Sequence, residues 1–193
     1  MIGINRLLCG LAMVLASSTA SLAQTADIFG IIPFNNKNYD RLEVRGAVMS
    51  YETGVFTSNR RSGVTLHGEI AFPSPEVLSV LLHPRPYIGF NVSPGKNHTD
   101  YLFAGLGWEN YLTDKFYLIG SLGGAIHNAS SLTHGKLAKA HGCSVLFHLE
   151  FGLGYDVTDD LTVQLFHDHF SNANLCSNNQ AGEHLGVRVG YRF

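Results

Sequence analysis

Long apolar runs, cysteine and basic charge are all scarce in this 193-residue sequence. Beyond residue 23 no apolar run reaches the roughly 18 residues that a transmembrane helix needs, so the sequence predicts no helical span. A transmembrane β-barrel is still allowed, because each of its strands gives a much weaker signal. Without Arg6, near the start, 12 Lys and Arg face 15 Asp and Glu, and no basic patch predicts a nucleic-acid partner.

An apolar run does occur at the start of the chain. Arg6 supplies a charged n-region, residues 7–16 an apolar h-region, and residues 21–23 (Ser-Leu-Ala) a small-x-small cleavage site. The alternative is a membrane anchor, but the run is too short to span comfortably. Residues 1–23 are therefore predicted to be a signal peptide, and residues 24–193 to form one domain.

Alternation of apolar and polar residues begins at Arg41. Because side chains on a strand point alternately to its two faces, eight such stretches predict an all-β barrel or sandwich. The stretches are residues 41–52, 63–72, 86–92, 100–112, 115–127, 143–155, 161–171 and 183–193. Residues 24–40 are expected to be an irregular lead-in. Residues 74–82 are expected to form a short helix, with Ser74 as its cap and Pro75 at its first position.

The connections between the stretches alternate in length. Short turns at one rim and longer loops at the other are typical of bacterial outer-membrane barrels. A terminal aromatic such as Phe193 resembles their assembly signal. The connection at 73–85 is the exception, because it is long on the short-turn side. The tight connections are 113–114 and 157–160, and the longer polar ones are 53–62, 93–99, 128–142 and 172–182.

The polar faces carry charges of both signs, enough to pair with one another in a narrow interior. An eight-stranded barrel is just wide enough to be filled by side chains. A soluble sandwich or lipocalin-like barrel would alternate in the same way. The signal peptide, the loop asymmetry and the final Phe favour an eight-stranded antiparallel transmembrane β-barrel. Its interior charges would be Glu43, Arg45, Glu69, Glu150, Arg188 and Arg192.

Two cysteines remain once Cys9 has left with the signal peptide, in a compartment where disulfides form. Cys143 begins the sixth stretch at the outer rim, and Cys176 lies in the loop that leaves the seventh at the same rim. Neighbouring strands bring the two within reach of the roughly 4.4–6.8 Å between Cα atoms that a bridge needs. The sequence leaves two alternatives open, a disulfide and two unrelated thiols.

Three polar residues occupy the outward, apolar faces of the last two stretches. His169 and Ser171 continue the face of Leu161, and Glu183 shares a face with Leu185. At the tilt typical of such barrels, Ser171 and Glu183 both lie roughly 25 Å above the short-turn rim, at the outer edge of the apolar band.

The expected register brings these three residues together. If Leu161 pairs with Phe193, Ser171 faces Glu183, and His169 is the diagonal neighbour of Glu183. A serine, a histidine and a carboxylate are the parts of an acyl-transfer site, in which the histidine takes the serine proton and the carboxylate orients the histidine. The alternative is that polar side chains at a strand end only meet headgroups and water.

These residues resemble the outer-membrane lipid A 3-O-deacylases, whose active-site strand reads His-x-Ser-Asn-Ala with a Glu twelve positions after the Ser. Residues 169–173 and Glu183 match that spacing. The resemblance implies an esterase with the catalytic residues His169, Ser171 and Glu183, and no cofactor. Ser171 would attack the ester carbonyl of the 3-hydroxy acyl chain at position 3 of lipid A, in the outer leaflet of the bacterial outer membrane, and release a fatty acid.

The resemblance also assigns an oxyanion hole. The family has an Asn eight positions after the Ser, where Asn179 falls. Three residues after the Ser it usually has a Gly whose N–H helps to hold the oxyanion, and this chain has Asn174 there. Asn is the non-Gly residue that best tolerates a positive φ, so the turn is expected to survive. The family's Gly two positions before the Glu is Ala181 here, with Gly182 next to it.

Other polar residues near the site have simpler interpretations. Asp168 points inward and is expected to pair with an interior Arg, and His167 is expected to be an interface residue without chemistry. The ten histidines show no paired spacing such as His-Glu-x-x-His, so no metal site is predicted. The expected partners are lipid A or lipopolysaccharide and the outer membrane, with a homodimer as an open prediction. The competing functions are a non-enzymatic barrel for envelope integrity or adhesion, and a soluble ligand-binding barrel.

Overall fold

The computed structural model describes residues 24–28, 32–56, 60–129 and 139–193. The predicted signal peptide, residues 1–23, lies outside the described residues. Ten β-strands and one 3-10 helix, Glu76–Leu81, follow one another along the described part of the chain. The strands are β1 Gln24–Ile28, β2 Ile32–Asn36, β3 Glu43–Tyr51, β4 Val64–Ala71, β5 Arg85–Val92, β6 Tyr101–Tyr111, β7 Phe116–His127, β8 Val145–Asp156, β9 Leu161–Ser171 and β10 Gly182–Arg192.

Strands β3 to β10 form a closed barrel. Neighbours along the chain pair antiparallel, and β10 closes the ring against β3, with His184 opposite Tyr51 and Arg192 opposite Glu43. Each of the eight stretches predicted from alternation is one of these strands, and their ends agree to within two residues. The prediction of an eight-stranded antiparallel barrel is confirmed.

The two sides of the barrel wall are inverted relative to a soluble protein. Val48, Leu122 and Val187 point outward and are 62%, 53% and 52% exposed, whereas the inward Glu69 and Arg188 are buried. Such a continuous apolar exterior is stable against lipid and not against water, so this is a transmembrane barrel and the soluble alternative is wrong. Within the described residues, no helix has the length and apolar character to cross a membrane.

The barrel interior is filled by arginines and the carboxylates around them. Arg45 donates to Glu69 at 2.8 Å and to Glu109 at 2.5 Å, and Arg188 donates to Glu150 at 3.1 Å. Buried charges are tolerated only when they are paired and hydrogen-bonded. All the interior charges predicted from the sequence take part, and Arg85 and Glu109 join them.

The lead-in is not irregular, contrary to the expectation for residues 24–40. β1 and β2 pair antiparallel as a two-stranded hairpin outside the barrel. The Asn35 backbone N–H donates to Asn110 Oδ1 at 2.9 Å, and Asn38 Nδ2 donates to Tyr111 Oη at 2.6 Å. These bonds reach the end of β6, 75 residues along the chain, so local alternation could not indicate them.

The short helix is present, but Ser74 is not its cap. Pro75 is the N-cap, and no side chain makes a capping hydrogen bond. The Ser74 N–H donates to the Tyr39 carbonyl at 2.6 Å, and the Ser74 hydroxyl is buried without a partner. The Ser74 backbone therefore binds the lead-in, and its hydroxyl does not cap the helix.

Candidate active site

The pairing of β9 with β10 places His169 directly opposite Glu183. The predicted register, with Leu161 opposite Phe193, is wrong by two residues, because Leu161 pairs with Tyr191. The turn before β9 extends the ladder beyond Leu161: the Arg192 N–H donates to the carbonyl of a turn residue, Asp160, at 2.8 Å. His169 and Glu183 are therefore direct cross-strand partners and not diagonal neighbours.

The His169–Glu183 pair is hydrogen-bonded on the outward face of the barrel. His169 Nδ1 and Glu183 Oε1 are 3.2 Å apart. The His169 side chain is 19% exposed, whereas Glu183 is fully buried. A carboxylate at Nδ1 favours the tautomer in which Nδ1–H donates, and this leaves Nε2 free to accept a proton.

Glu183 is buried because the loop after β3 folds over it. The Phe56 backbone N–H lies 3.2 Å from each of the two carboxylate oxygens. The Phe56 ring stands edge-on to the His169 ring, with the ring centroids 5.9 Å apart. The backbone of Glu183 is also held, since its N–H donates to Glu52 Oε2 at 3.3 Å and its carbonyl accepts from the Thr53 N–H at 3.1 Å.

Ser171 ends β9, two residues after His169 and on the same outward face. Among the described residues, no hydrogen bond joins the Ser171 hydroxyl to His169. Such bonds are often long in free enzymes and tighten only when substrate is bound, so the spacing along one face fits a nucleophile beside its base.

The loop after Ser171 brings Asn174 and Asn179 together. Ala173 and Asn174 both have left-handed backbones, with φ of 51° and 63°. Asn179 Oδ1 accepts the Asn172 N–H at 2.9 Å, and Asn179 Nδ2 donates to Asn174 Oδ1 at 3.0 Å. The Asn174 N–H has no acceptor among the described residues. The turn is therefore formed without the Gly of the family pattern.

The loop before β8 supports the loop after Ser171 from behind. Cys143 and Cys176 form a disulfide with their Cα atoms 5.9 Å apart, which decides between the two alternatives left by the sequence. Asn172 Nδ2 donates to the His141 carbonyl at 2.6 Å. Burial lowers the pKa of His141 to about 3, so its ring is neutral at pH 7. A disulfide-linked loop with a neutral His141 ring therefore lies behind the candidate oxyanion hole.

Two neighbours of the pair differ from their sequence interpretations. Asp168 points inward as expected, but it pairs with His184 Nδ1 at 2.7 Å and Asn91 Nδ2 at 2.6 Å and not with an Arg. His167 was expected to be an interface residue without chemistry, and it is buried. It lies beneath the rings of Phe56 and Phe151, with both ring nitrogens unpartnered.

One interior group has the composition of a metal site. Ligand atoms of His67, Glu69 and Glu150 lie within 4.8 Å of one another. Arg188 Nη1 lies 3.5 Å from His67 Nε2, 3.3 Å from Glu69 Oε2 and 3.1 Å from Glu150 Oε1. The guanidinium therefore supplies the positive charge at this position.

Sequence reasoning missed Glu52, Phe56 and Lys139. Lys139 Nζ donates to Glu52 Oε2 and to the Ala181 carbonyl, and both charged side chains are buried. Phe56 and Lys139 lie in long loops, where no alternation assigns a direction to a side chain. Glu52 ends the first alternating stretch, and alternation does not indicate its contact with Lys139.

Comparisons with known proteins agree with the fold of the barrel. The crystal structure of the outer membrane enzyme PagL has a TM-score of 0.57 at 19% identity, over 77% of this chain and 98% of that one. The N-terminal β-barrel domain of Pseudomonas aeruginosa OprF has a TM-score of 0.54 at 12% identity, over 80% of this chain and 98% of that one. Identities this low show the fold alone. No curated protein matches the sequence significantly.

The family comparison is more specific than the structural ones. The model described as lipid A 3-O-deacylase (PagL) matches residues 41–192, which include all eight barrel strands. Since this match covers most of the sequence, the chain belongs to the lipid A 3-O-deacylase (PagL) family and is an outer-membrane enzyme.

Proposed function

We propose that the protein hydrolyses the ester of the acyl chain at position 3 of lipid A, in the outer leaflet, with Ser171 as nucleophile, His169 as base and Glu183 as the orienting carboxylate. The observation that carries this proposal is the His169–Glu183 bond on the outward face, 3.2 Å long, next to a serine of the same face. Family membership supports the reaction, and the geometry supports the residues.

The first half of the reaction forms an acyl-enzyme. Ser171 Oγ attacks the ester carbonyl carbon while its proton passes to His169 Nε2. Glu183 stabilises the imidazolium through Nδ1. The negative oxygen of the tetrahedral intermediate is met by the free Asn174 N–H and by the amide of Asn179. When the intermediate collapses, the sugar oxygen leaves and takes the proton from His169.

The second half restores the enzyme. Water gives a proton to His169 and attacks the acyl carbonyl, and a second tetrahedral intermediate forms in the same oxyanion hole. Its collapse breaks the bond to Ser171 Oγ, which recovers its proton from His169. The products are the fatty acid and lipid A with a free hydroxyl at position 3.

The position of Ser171 in the barrel fits a membrane lipid as substrate. β9 is 11 residues long and Ser171 is its last residue, next to the longer loops. At about 3.3 Å per residue and the usual tilt, Ser171 lies near the edge of an apolar band about 25 Å tall. The ester bonds of a lipid lie at this boundary between headgroup and hydrocarbon. Residues 1–23 are proposed to be the signal peptide that exports the chain.

The proposal is tested by mass spectrometry of lipid A from cells that make a 3-O-acylated form, with and without this protein. We expect loss of one acyl group and appearance of the free fatty acid with wild type, and neither with Ser171→Ala. Ser50→Ala is the matched control, because Ser50 is an outward residue near the same end of β3 and faces Leu185 on β10. Equal activity of folded Ser171→Ala and wild type would refute the assigned nucleophile.

A further inference from the structure

A buried ion pair lies directly behind the candidate catalytic carboxylate. Glu52 follows the last residue of β3 and has a left-handed backbone, with φ of 52°. Glutamate rarely adopts this conformation, so the surrounding contacts must hold it there. Glu52 is fully buried, and its Oε2 accepts both the Glu183 N–H and Lys139 Nζ.

Lys139 comes from a different loop, the one between β7 and β8. It is 1% exposed and donates to Glu52 and to the carbonyl of Ala181. Ala181 lies two residues before Glu183, so one ammonium group binds the chain just before the carboxylate residue and also the Glu52 side chain that accepts the Glu183 N–H. Burial raises the pKa of the Glu52 carboxyl, and the charge of Lys139 opposes that rise.

The segment from Glu52 to Phe56 makes three hydrogen bonds to Glu183. Glu52 Oε2 accepts its N–H at 3.3 Å, the Thr53 N–H donates to its carbonyl at 3.1 Å, and the Phe56 N–H donates to its carboxylate at 3.2 Å. The third contact fixes the direction in which the carboxylate presents an oxygen to His169. Glu52, the first residue of this segment, is itself bound by Lys139.

We propose that Lys139 and Glu52 are positioning residues that aim the Glu183 carboxylate at His169. Neither charged group is exposed to lipid or water, so neither contacts the substrate. The inference rests on the proposed triad. It makes the outward active site dependent on an ion pair formed between two long loops.

A double-mutant cycle tests the inference. Lys139→Met and Glu52→Gln are each made in the wild-type chain and in a Glu183→Gln chain, and kcat and KM are measured in detergent with a lipid A substrate. In the wild-type chain we expect each to lower kcat at least tenfold, with KM changed less than twofold, because orientation and not binding is lost. In the Glu183→Gln chain the same substitutions should change kcat less than twofold, since the carboxylate that they orient is already absent.

Two further variants separate positioning from general loosening of the barrel. Lys139→Arg keeps the cation and should retain most of the activity. Glu109→Gln removes a carboxylate of similar burial from the interior ion-pair network and should leave kcat near the wild-type value. Every variant is compared as the folded, heat-modifiable form, and Glu52→Gln decides the matter if Lys139→Met does not fold.

The outcomes are distinct. An equal fold-loss in both backgrounds, or normal kcat in folded Lys139→Met and Glu52→Gln, would overturn the positioning role and leave the triad intact. Normal activity of folded Glu183→Gln alone would overturn the proposed triad, and the positioning role with it.

Discussion

Strands β9 and β10 carry two His–carboxylate pairs one residue apart, on opposite sides of the barrel wall. On the outside His169 lies opposite Glu183, and on the inside Asp168 lies opposite His184. The inner pair has the shorter hydrogen bond, 2.7 Å against 3.2 Å, and both of its members are fully buried. By bond length alone, the inner pair would look like the better catalytic dyad.

The difference between the pairs lies in what surrounds them. His184 is enclosed by the rings of Tyr51 and Tyr101, and Asp168 is also bound by Asn91. The outer pair has Ser171 on its own face, and its histidine is 19% exposed on the lipid side. A histidine and a carboxylate support nucleophilic catalysis only when a nucleophile lies beside them and the substrate can reach it. The inner pair instead joins the two strands at the level of the site.

The largest difference in activity between the two pairs is expected when their histidines are replaced. His169→Asn should lower the rate of ester hydrolysis by about 10²–10⁴-fold, because general-base assistance to Ser171 is lost. His184→Asn should leave hydrolysis nearly unchanged and lower the temperature at which the barrel unfolds, because a buried pair is broken. Rates in detergent and gel mobility after graded heating measure the two effects. A rate loss in His184→Asn as large as in His169→Asn would contradict the assignment of catalysis to the outward pair.

A second contrast concerns two asparagines in the loop that follows Ser171. Asn179→Ala should lower kcat by about 10²–10³-fold, because an oxyanion donor is lost. Asn178→Ala, one position earlier, is the matched control for the loop and should retain more activity. The measurement is kcat with KM recorded alongside. An unchanged kcat in Asn179→Ala would remove this residue from the oxyanion hole.

Replacing the carboxylates should produce a smaller difference in activity between the two pairs than replacing the histidines. Glu183→Gln should leave roughly one to two orders of magnitude more activity than His169→Asn, because the imidazole still acts as a base without its orienting group. Asp168→Asn keeps the shape of the inner partner and should change activity little. Single-turnover rates of the folded variants test this. Complete inactivation by Asp168→Asn alone would show that the inner pair takes part in catalysis.

The smallest effect on rate is expected from the disulfide. Cys143→Ser and Cys176→Ser should each lower stability by about 2–4 kcal/mol, because the loop behind the oxyanion hole is no longer cross-linked. Activity of the folded fraction should fall less than in any triad variant. Both single variants should behave alike, and a large difference between them would mean that one free thiol acts on the site by itself.

The sequence predicts the outer pair better than it predicts what holds it. Period-two alternation places His169, Ser171 and Glu183 on one side of the wall, and it predicts all eight strands of the barrel, but not β1 and β2. The register was wrong because a tight turn can extend a ladder past the last alternating residue, as Asp160 does opposite Arg192. The predicted partner of Asp168, an interior Arg, was wrong because alternation along a strand gives the direction of a side chain and not its distance from another.

The loops could not be predicted for a different reason. Glu52 and Lys139 are 87 residues apart, and their contact exists only once the barrel has closed and two loops meet over one strand end. Nothing in the local sequence of either loop indicates the other. The Cys143–Cys176 pair was accessible to prediction because cysteines have few alternative partners, whereas a lysine and a glutamate have many.

The packed interior also has an electrical consequence. A void among the ion pairs, lined by residues that include Arg45, Arg85 and Glu109, has a volume of about 10 Å³, room for about one water molecule. Porins conduct because their wider barrels leave an aqueous channel through the lumen. Reconstituted into a planar bilayer under an applied voltage, this protein should give no unit current steps, so an enzyme of this design can deacylate lipid A without opening a leak for ions.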